Sequence, residues 1–451
     1  MKKQAHFIGI DLGTSGCRAV AMDARGAVVA ESTTPLPAPE RDGPRVQQGP
    51  DLWWQAVCGC LDELAARIDA GTVAAIAVDG TSATLLLTDA AGDPLGPALM
   101  YNDARATAQA KAIAAIAPDD SAAQGPGSAL AKLLWLRDSG QAGGATHALH
   151  QADWVCWRLR GTGQRPTSDF NNALKMGFDA RAQGWPAWFA QLGVPAALLP
   201  EVVAPGTITG TLAPALAARF GFPADTRIVA GTTDSTASFL ATGARDVGEA
   251  VTALGSTLVV KVIAERPVFA AEYGVYSQPL MVDGQRRWLV GGASNSGGAV
   301  LRQYFSDPQL QALTPQLEPD SPTGLDYYPL PAPGERFPVC DPTLAPRLAP
   351  RPANDVVFFQ AILEGIARIE ARAYRLLAEL GAPYPATVRS TGGGARNAAW
   401  TRIRERELAT PQESPAMITA HNTEAAYGAA LLARQGTGPA HPSNPQTDDI
   451  T

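Results

Sequence analysis

The sequence predicts an α/β protein of two domains, and three observations support this class. The chain has 451 residues, which is too long for one ordinary core. It opens with a short apolar strand pattern, HFIGID, that runs into the polar turn DLGTSG. A second apolar pattern, in TRIVAGTTDST, runs into a turn of the same design. We therefore expect a weak internal repeat, with one domain over 1–225 and another over 226–436.

The elements of the first domain follow from local patterns. HFIGID, CRAVAMD and AVVAES predict three strands separated by turns. PDLWWQAVCGCLDELAARID predicts a long amphipathic helix that starts at Pro50 and Asp51. AAIAVDG predicts a buried strand, and two further helices are predicted in ATAQAKAIAAIA and ALAKLLWLRDSG.

The second domain is predicted in the same way. TALGSTLVVKVI indicates two strands around a Gly-Ser-Thr turn, and residues 306–354 form a proline-rich surface excursion. DVVFFQAILEGIARIEARAYRLLAELG predicts one long helix, and PATVRSTGGGARN predicts a strand that enters a glycine-rich turn. TEAAYGAALLARQG predicts a closing helix, and the tail over 437–451 is expected to be disordered.

Composition excludes several classes of function. The hydrophobic fraction of 46% is typical of a globular chain, and a net charge of -7 without a basic cluster argues against nucleic acid as a partner. We found neither a signal-peptide pattern nor an apolar run of about 18 residues, so we expect a cytoplasmic protein with no membrane partner. The five cysteines lack paired CxxC units, which argues against a zinc site.

The first candidate site is the turn in GIDLGTSGCR. Gly13 lets the backbone approach an anion, and Thr14 and Ser15 add hydroxyl donors to the backbone N–H groups. Asp11 lies at the end of the strand, where a carboxylate holds magnesium through water, and Arg18 adds positive charge. An ordinary hairpin with a polar turn explains the same residues.

Three later turns carry similar chemistry. In VAGTTDSTASFL, Asp234 is placed to take a proton from a hydroxyl, or to cap a helix. In LGSTLVV, Ser256 and Thr257 offer donors, unless the segment is only a hairpin turn. The glycines of TGGGARN suit a flat ligand or a phosphate, or form a flexible loop. Taken together, these turns have the layout of a nucleotide held between two lobes, as phosphoryl transfer requires.

A carboxylate also ends the apolar strand in AAIAVDGTSAT. Asp79 is a turn residue, a metal ligand or an acceptor for a polar ligand, and the residues alone leave these alternatives open.

These motifs, in this order, resemble the FGGY carbohydrate kinases, from Phe7 to about Gly436. GIDLGTSGCRAV and ALGSTLVV are similar to the family's phosphate motifs, VAGTTDSTA to its catalytic-base motif and STGGGARN to its adenosine motif. YNDARA, KLLWL, GERFPVCDP and EAAYGAALLA also fit. The resemblance implies two actin-like (ribonuclease H-like) α/β domains with an interdomain cleft, the first binding sugar and the second nucleotide.

The resemblance also implies the role of individual residues, with ATP and Mg²⁺ as the required small molecules. Asp234 is expected to be the general base and Asp11 to organise Mg²⁺, while Asp79, Asp103 and Ser235 face the sugar. The residues expected to contact ATP lie in the turns that the motifs define: Gly13, Thr14, Ser15, Arg18, Gly255, Ser256, Thr257, Gly297, Gly298, Gly393 and Asn397.

Within the family, AVDGTSATLLL, YND and SDFNNALKMGFD look most like the D-ribulose kinases of plants and cyanobacteria. Xylulose kinases typically have Ser-Gly-Gln-Met-His-Gly where residues 79–84 stand here, so a carboxylate replaces a hydroxyl and a histidine is lost. The Arg-Glu pair of glycerol kinases is absent from this stretch of the sequence. We therefore expect phosphorylation of D-ribulose at its terminal hydroxyl, with D-xylulose, L-ribulose or ribitol as alternative substrates.

Other points stay open at the level of sequence. A nucleotide-binding regulator or slow ATPase is a different class of function, and the presence of both Asp11 and Asp234 favours an enzyme. Tyr101 stands where a Trp is usual, and TRIRERELATP has Arg and Glu where an Ala-Asp pair is common, which affects adenine packing. Lys175 and Asp169 line the site or form loop contacts, and the protein is a monomer or a homodimer.

Overall fold

The computed structural model describes residues 4–282 and 284–437, and the chain divides into two compact units. The N-terminal unit contains the described residues up to Ser238, those within 281–285 and those from Glu424 onward. The C-terminal unit contains 239–280 and 286–423. All of the tail predicted to be disordered, except Thr437, lies outside the described residues.

The N-terminal unit contains most of the predicted elements. Its strands are β1 His6–Leu12, β2 Gly16–Asp23, β3 Val28–Pro35, β4 Glu40–Asp42, β5 Arg45–Gln48, β6 Val73–Gly80, β7 Leu85–Thr88, β8 Ala98–Leu99, β9 His147–His150, β10 Thr167–Asp169, β11 Glu201–Val203, β12 Ile208–Thr211 and β13 Arg227–Val229. Its helices are α1 Pro50–Arg67, α2 Thr107–Ala114, α3 Ala129–Asp138, α4 Gln151–Arg160, α5 Phe170–Leu174 and α6 Pro214–Phe220, with α7 Asp234–Ala241 beginning in it.

Three sheets organise this unit. A six-stranded sheet has the order β12-β13-β6-β1-β2-β3, and a five-stranded sheet has the order β4-β5-β8-β7-β9. β10 and β11 form a short parallel pair. In the large sheet β1 is antiparallel to β2, whereas β1, β6 and β13 run parallel to one another. The ends of β1, β6 and β13 therefore meet at one edge of the sheet.

The C-terminal unit is built on one six-stranded sheet, of order β16-β17-β15-β14-β18-β19. Its strands are β14 Glu249–Leu254, β15 Leu258–Ala264, β16 Tyr276–Val282, β17 Gln285–Ser294, β18 Thr387–Thr391 and β19 Ala416–Thr419. Its helices are α8 Gly298–Tyr304, α9 Asp307–Leu313, α10 Asp355–Glu379 and α11 Ala398–Leu408. Asn354 caps the long helix α10 by accepting a hydrogen bond from Val356 N at 2.8 Å.

The closing helix, α12 Ala425–Gln435, returns to the N-terminal unit and packs on β1 and β6. The contact is close because β1 carries Gly9, where an added Cβ would lie 1.9 Å from the Ala426 carbonyl oxygen. β6 is buried along nearly its whole length, which suits a central strand covered on both faces.

The domain boundary and the repeat differ from the prediction. β13, expected to open the second domain, hydrogen-bonds parallel to β6 in the first sheet, and α12 belongs to the same unit. The repeat is present with a different starting point. β1 and β2 form a hairpin with β6 parallel to β1, and β14 and β15 form a hairpin with β18 parallel to β14.

Across the residues that the structure describes, no helix is both long enough and apolar enough to cross a membrane. All five cysteines are free thiols, and only Cys340 is exposed.

Candidate active site

Three of the predicted acidic residues lie at the shared edge of β1, β6 and β13. Asp11 on β1 is paired with Asp79 on β6. Gly80 bridges to Thr233, the residue directly before Asp234. The carboxyl ends of parallel strands are the usual position of ligand sites in open α/β sheets. Three carboxylates that are far apart in the sequence therefore meet at one position suited to a ligand.

These carboxylates differ in burial. Asp11 is 7% exposed and Asp79 is fully buried, whereas Asp234 is half-buried. Burial raises the pKa of Asp79 well above its usual range, and the negative charge of Asp11 raises it further. Neither carboxylate oxygen of Asp79 has a hydrogen-bond partner among the described residues, so no direct bond of ordinary geometry joins it to Asp11.

The pKa of Asp11 is also shifted by its surroundings. Burial raises the pKa of Asp11, and the positive charge of Arg18, with Nη1 3.8 Å from the Asp11 carboxylate, opposes the shift. The Arg18 side chain is 56% exposed, so water screens this pair and it holds Asp11 only weakly.

This edge suits a magnesium ion that is coordinated partly by the protein and partly by water and substrate phosphates, and not an ion held by protein ligands alone. Within the described part of the chain, no three His, Cys, Asp or Glu residues are grouped to hold a metal ion. Mg²⁺ usually takes one or two carboxylates and completes its shell with water and substrate phosphates. Asp11 provides one such carboxylate, and the oxygens of Asp79 opposite it have no hydrogen-bond partner among the described residues.

The predicted phosphate turn between β1 and β2 is a tight hairpin. Gly13 N donates to Gly16 O at 3.0 Å, and Leu36 N donates to Ser15 O at 3.0 Å, which fixes the turn against β3. Thr14 is half-buried and Ser15 is exposed. The geometry is compatible with an ordinary hairpin as well as with an anion site, so phosphate binding here stays a prediction.

The loop that follows β6 is tied to α4. Gln151 Oε1 accepts from Thr81 N at 3.0 Å and from Thr81 Oγ1 at 2.8 Å, and Thr81 Oγ1 lies 2.6 Å from Thr84 Oγ1. Ala83 has φ of 68°, a left-handed conformation that residues other than glycine seldom adopt. Sequence reasoning missed Gln151, because it lies 70 residues beyond Thr81 and has no motif of its own.

Asp103, predicted to face the sugar, is enclosed by protein groups. Its carboxylate accepts from Val46 N at 2.6 Å and forms an ion pair with Arg105 at 2.7 Å. Arg105 in turn lies over the ring of Trp135, 4.9 Å from its centroid. The role of Asp103 as a sugar ligand stays a prediction, and its visible contacts anchor the segment that carries Tyr101.

Ser235 and Asp169 are placed differently. Ser235 is exposed next to Asp234, and its backbone N donates to Asp234 Oδ1 at 2.6 Å. Asp169 caps α5, because its carboxylate accepts from Asn171 N at 2.8 Å and from Asn172 N at 3.3 Å. Burial, aided by the charge of Asp153, raises the pKa of Asp169 to about 7. These contacts assign Asp169 a structural role in its loop.

The second group of predicted residues lies around a cavity of about 700 Å³ in the C-terminal unit. Five of the predicted nucleotide residues line this cavity: Gly255, Ser256, Gly298, Gly393 and Asn397. Asn397 also caps α11, since its Oδ1 accepts from Trp400 N at 3.0 Å. The structure thus joins three separate turns of the sequence in one concave surface.

Two glycines make this surface possible. Gly297 has φ of 147°, and a Cβ there would lie 2.7 Å from Ser256 O, so only glycine lets the two turns pack together. A Cβ on Gly394 would lie 2.3 Å from the Trp400 ring. Gly297 and Thr257 are not among the described residues that line the cavity, and they act on it through this packing.

The rest of the cavity wall was not predicted. Apolar side chains come from β14 and from α8 to α11, and two arginines and one aspartate add charge; these residues are Leu254, Leu301, Leu310, Phe359, Leu363, Trp400, Arg302, Arg396 and Asp307. The helical residues escaped sequence reasoning because a cavity-lining position on an amphipathic helix has the same pattern as a core position. Arg396 lies in the turn of the TGGGARN motif, where only the glycines and Asn397 were selected.

The unusual arginines of TRIRERELATP have structural partners. Arg404 is fully buried and donates to both carboxylate oxygens of Glu370, at 2.6 and 2.7 Å. Thr252 Oγ1 donates to the same carboxylate at 2.6 Å. Arg406 pairs with the buried Glu364 at 3.3 Å. The departure from the common Ala-Asp pair therefore builds ion pairs inside the unit.

Comparison with known proteins shows the family to which the two units are similar. Residues 6–241 match the N-terminal domain of the FGGY family of carbohydrate kinases, and residues 250–435 match its C-terminal domain. A xylulose kinase from Escherichia coli (strain K12) is 27% identical over 420 residues, covering 88% of this chain and 84% of that protein. A xylulose kinase from Bacillus subtilis (strain 168) is 26% identical over 450 residues, covering 96% and 88%.

Solved structures agree in fold. A kinase from Brucella ovis superposes with a TM-score of 0.86 at 24% identity, covering 96% of this chain and 91% of that chain. The xylulose kinase from Rhodospirillum rubrum gives 0.83 at 21% identity, covering 96% and 90%. The two actin-like domains, each matched by a domain of this family, define a carbohydrate kinase. This chain belongs to the FGGY family of carbohydrate kinases.

Proposed function

We propose that the protein transfers the γ-phosphoryl group of ATP to the terminal hydroxyl of a ketopentose, with D-ribulose as the substrate and D-ribulose 5-phosphate as the product. Family membership supports a carbohydrate kinase. The choice of D-ribulose rests on one observation, the segment over residues 79–84. It has a buried carboxylate at Asp79 and a methyl group at Ala83, where xylulose kinases typically have a hydroxyl and a histidine.

In this mechanism the sugar oxygen forms a bond to the γ-phosphorus while the bond to the β–γ bridging oxygen breaks, and ADP leaves. Asp234 orients the attacking hydroxyl and accepts its proton. Asp11 would hold Mg²⁺, which when bound offsets negative charge on the phosphate oxygens. Asp234 is suited to its role because it is only half-buried, next to the exposed Ser235, whereas Asp79 is enclosed.

The cavity of the C-terminal unit is proposed to hold the nucleotide. Its volume of about 700 Å³ lies within the usual range for small-molecule pockets. The apolar wall formed by Leu301, Phe359 and Trp400 suits a flat base, and the backbone of Gly255 and Ser256 offers N–H donors.

D-xylulose is the second candidate, since the two relatives compared above are named xylulose kinases. A panel assay separates the two, with D-ribulose, D-xylulose, L-ribulose, ribitol and glycerol offered with Mg²⁺ and ATP and with ADP release measured. We expect the highest kcat/KM for D-ribulose. A higher value for D-xylulose would replace the proposed substrate, and ADP release that no sugar stimulates would leave a slow ATPase.

A further inference from the structure

Lys132 on α3 is a fully buried lysine whose hydrogen bonds to described residues all go to backbone oxygens. Its Nζ donates to Ala83 O at 2.8 Å, to Gly127 O at 2.9 Å and to Tyr101 O at 3.4 Å. Among the described residues it forms no ion pair within 4.0 Å, and Asp103 is already paired with Arg105. A buried ammonium without a carboxylate partner is costly, so such a position requires a specific reason.

The three carbonyl groups belong to three different segments. Ala83 lies in the loop after β6, Tyr101 lies in the YND stretch, and Gly127 lies in the turn before α3. The first two are the segments that the sequence relates to the sugar. Gly127 lies beside the second, since a Cβ there would be in ordinary van der Waals contact with Tyr101 O, at 3.5 Å. The Nζ group of Lys132 therefore connects the backbones of three loops.

The loop after β6 needs this support. The left-handed conformation of Ala83, with φ of 68°, costs about 1–2 kcal/mol for a residue with a Cβ. Such conformations persist only where the surroundings over-determine them, and they are concentrated at functional sites. Lys132 holds the carbonyl of Ala83, while Gln151 holds Thr81, two residues earlier in the chain.

We propose that Lys132 is a positioning residue for sugar binding, which fixes these three loops and holds Ala83 in its left-handed conformation. The loop at the partly exposed Ser82 then offers the sugar a rigid backbone surface in place of a long side chain. This inference rests on the proposed sugar kinase activity. It assigns discrimination between sugars to the shape of a backbone loop that a residue of another helix maintains.

The test compares Lys132→Met with Ala83→Gly, with the double variant and with Lys111→Met, which replaces an exposed lysine on α2. Kinetics are measured with the best sugar of the panel. Loss of this anchor is equivalent to at least one hydrogen bond, so Lys132→Met should raise KM for the sugar about tenfold or more and KM for ATP less than about twofold. Lys111→Met should change neither.

The double variant provides a readout that general loss of stability does not mimic. Glycine adopts positive φ without steric cost, so adding Ala83→Gly to Lys132→Met should recover about threefold or more of the lost sugar KM. Lys132→Gln, which keeps two N–H donors, should give an intermediate sugar KM.

Three results would overturn the inference. These are an unchanged sugar KM in a folded Lys132→Met, equal changes in both KM values, and failure of both Lys132→Met and Lys132→Gln to fold, which would make Lys132 a structural residue only. If the wild-type protein phosphorylates no sugar, the proposed function fails as well. An active wild type with an unaffected Lys132→Met rejects only the role of Lys132.

Discussion

Asp11 and Asp79 lie directly opposite each other on the parallel strands β1 and β6, and both are buried. Ionising two neighbouring carboxylates that are both buried away from water costs free energy. The burial of Asp79 and the charge of Asp11 raise the pKa of Asp79, while Asp234 and Asp169 add smaller contributions of the same sign. Ionisation of both groups is therefore unfavourable at this edge of the sheet, and binding of a cation or a proton would remove the repulsion.

Asp79→Asn should stabilise the metal-free protein at pH 8. The folded state favours the protonated form of Asp79, so wild-type stability falls as the pH rises above the unfolded pKa of about 4. An amide avoids this loss, and the variant should gain about 1 kcal/mol or more at pH 8, with the gap closing towards pH 4. Urea unfolding in EDTA at both pH values measures it. A variant that is less stable at pH 8 would mean that a partner stabilises the ionised Asp79.

Asp234→Asn should abolish most sugar-dependent ADP release while leaving the fold intact. Removing a group that orients the hydroxyl and accepts its proton typically costs about 10²–10⁴-fold in kcat. The matched control is Asp225→Asn, which changes an exposed carboxylate in the loop before β13. Steady-state kinetics and a melting curve decide the outcome. Near-normal turnover in a folded Asp234→Asn would reject Asp234 as the general base.

The sequence was enough to select the parts of the candidate site that depend on local chemistry. Asp11, Asp79 and Asp234 each end a strand or start a helix, so the order of apolar and polar residues was enough to select them. The glycine turns at Gly255 and Gly393 were selected in the same way. What local patterns lack is the pairing of strands, which is why β13 was expected in the second domain although it pairs with β6 in the first.

The residues that were missed act over long distances in the chain. Lys132 reaches Ala83, 49 residues away, and Gln151 reaches Thr81, 70 residues away. Trp400 on α11 lines the same cavity as Gly255, which lies far earlier in the sequence. A lysine, a glutamine or a tryptophan on a helix has many possible environments, and only the tertiary structure selects among them.

A comparison of Gly394→Ala with Gly393→Ala should separate the packing of the cavity from the binding of nucleotide in it. A Cβ on Gly394 meets the buried Trp400 ring at 2.3 Å, so overpacking should reduce the free energy of unfolding by about 1–3 kcal/mol. A Cβ on Gly393 has no neighbour within 4 Å, so the stability should stay within about 0.5 kcal/mol. If the nucleotide lies against this turn, Gly393→Ala should still raise KM for ATP. Equal stability of the two variants would contradict the packing argument.

Arg404→Met should be among the most destabilising single changes in the C-terminal unit. It leaves the Glu370 carboxylate buried without its cation, which typically costs about 3–5 kcal/mol. The control is Arg402→Met on the same helix, whose partner Asp320 is exposed, and such surface pairs contribute about 0–1 kcal/mol. Replacing both Arg404 and Glu370 with Met should recover most of the loss in denaturant unfolding. Similar small losses for Arg404→Met and Arg402→Met would show that water reaches the Glu370 site.

The stability contributed at Lys132 should depend on pH. Burial lowers the pKa of Lys132 from 10.5 to about 7, against the opposing charge of Asp103, while the charges of Arg105 and Lys175 lower it further. Between pH 7 and pH 10 the unfolded chain therefore binds more protons at this residue than the folded chain, and the free energy of unfolding rises with pH. This contribution is present at high pH and is lost as the pH falls through 7.

The difference in unfolding free energy between the wild type and Lys132→Met should thus increase by up to about 1.4 kcal/mol per pH unit from pH 7 to pH 9. The same difference should be flat below pH 6, where the lysine is protonated in both states. Denaturant unfolding of both proteins from pH 5 to pH 9 measures this difference. A constant difference across the range would mean that the three carbonyl groups keep Lys132 charged in the folded protein at every pH tested.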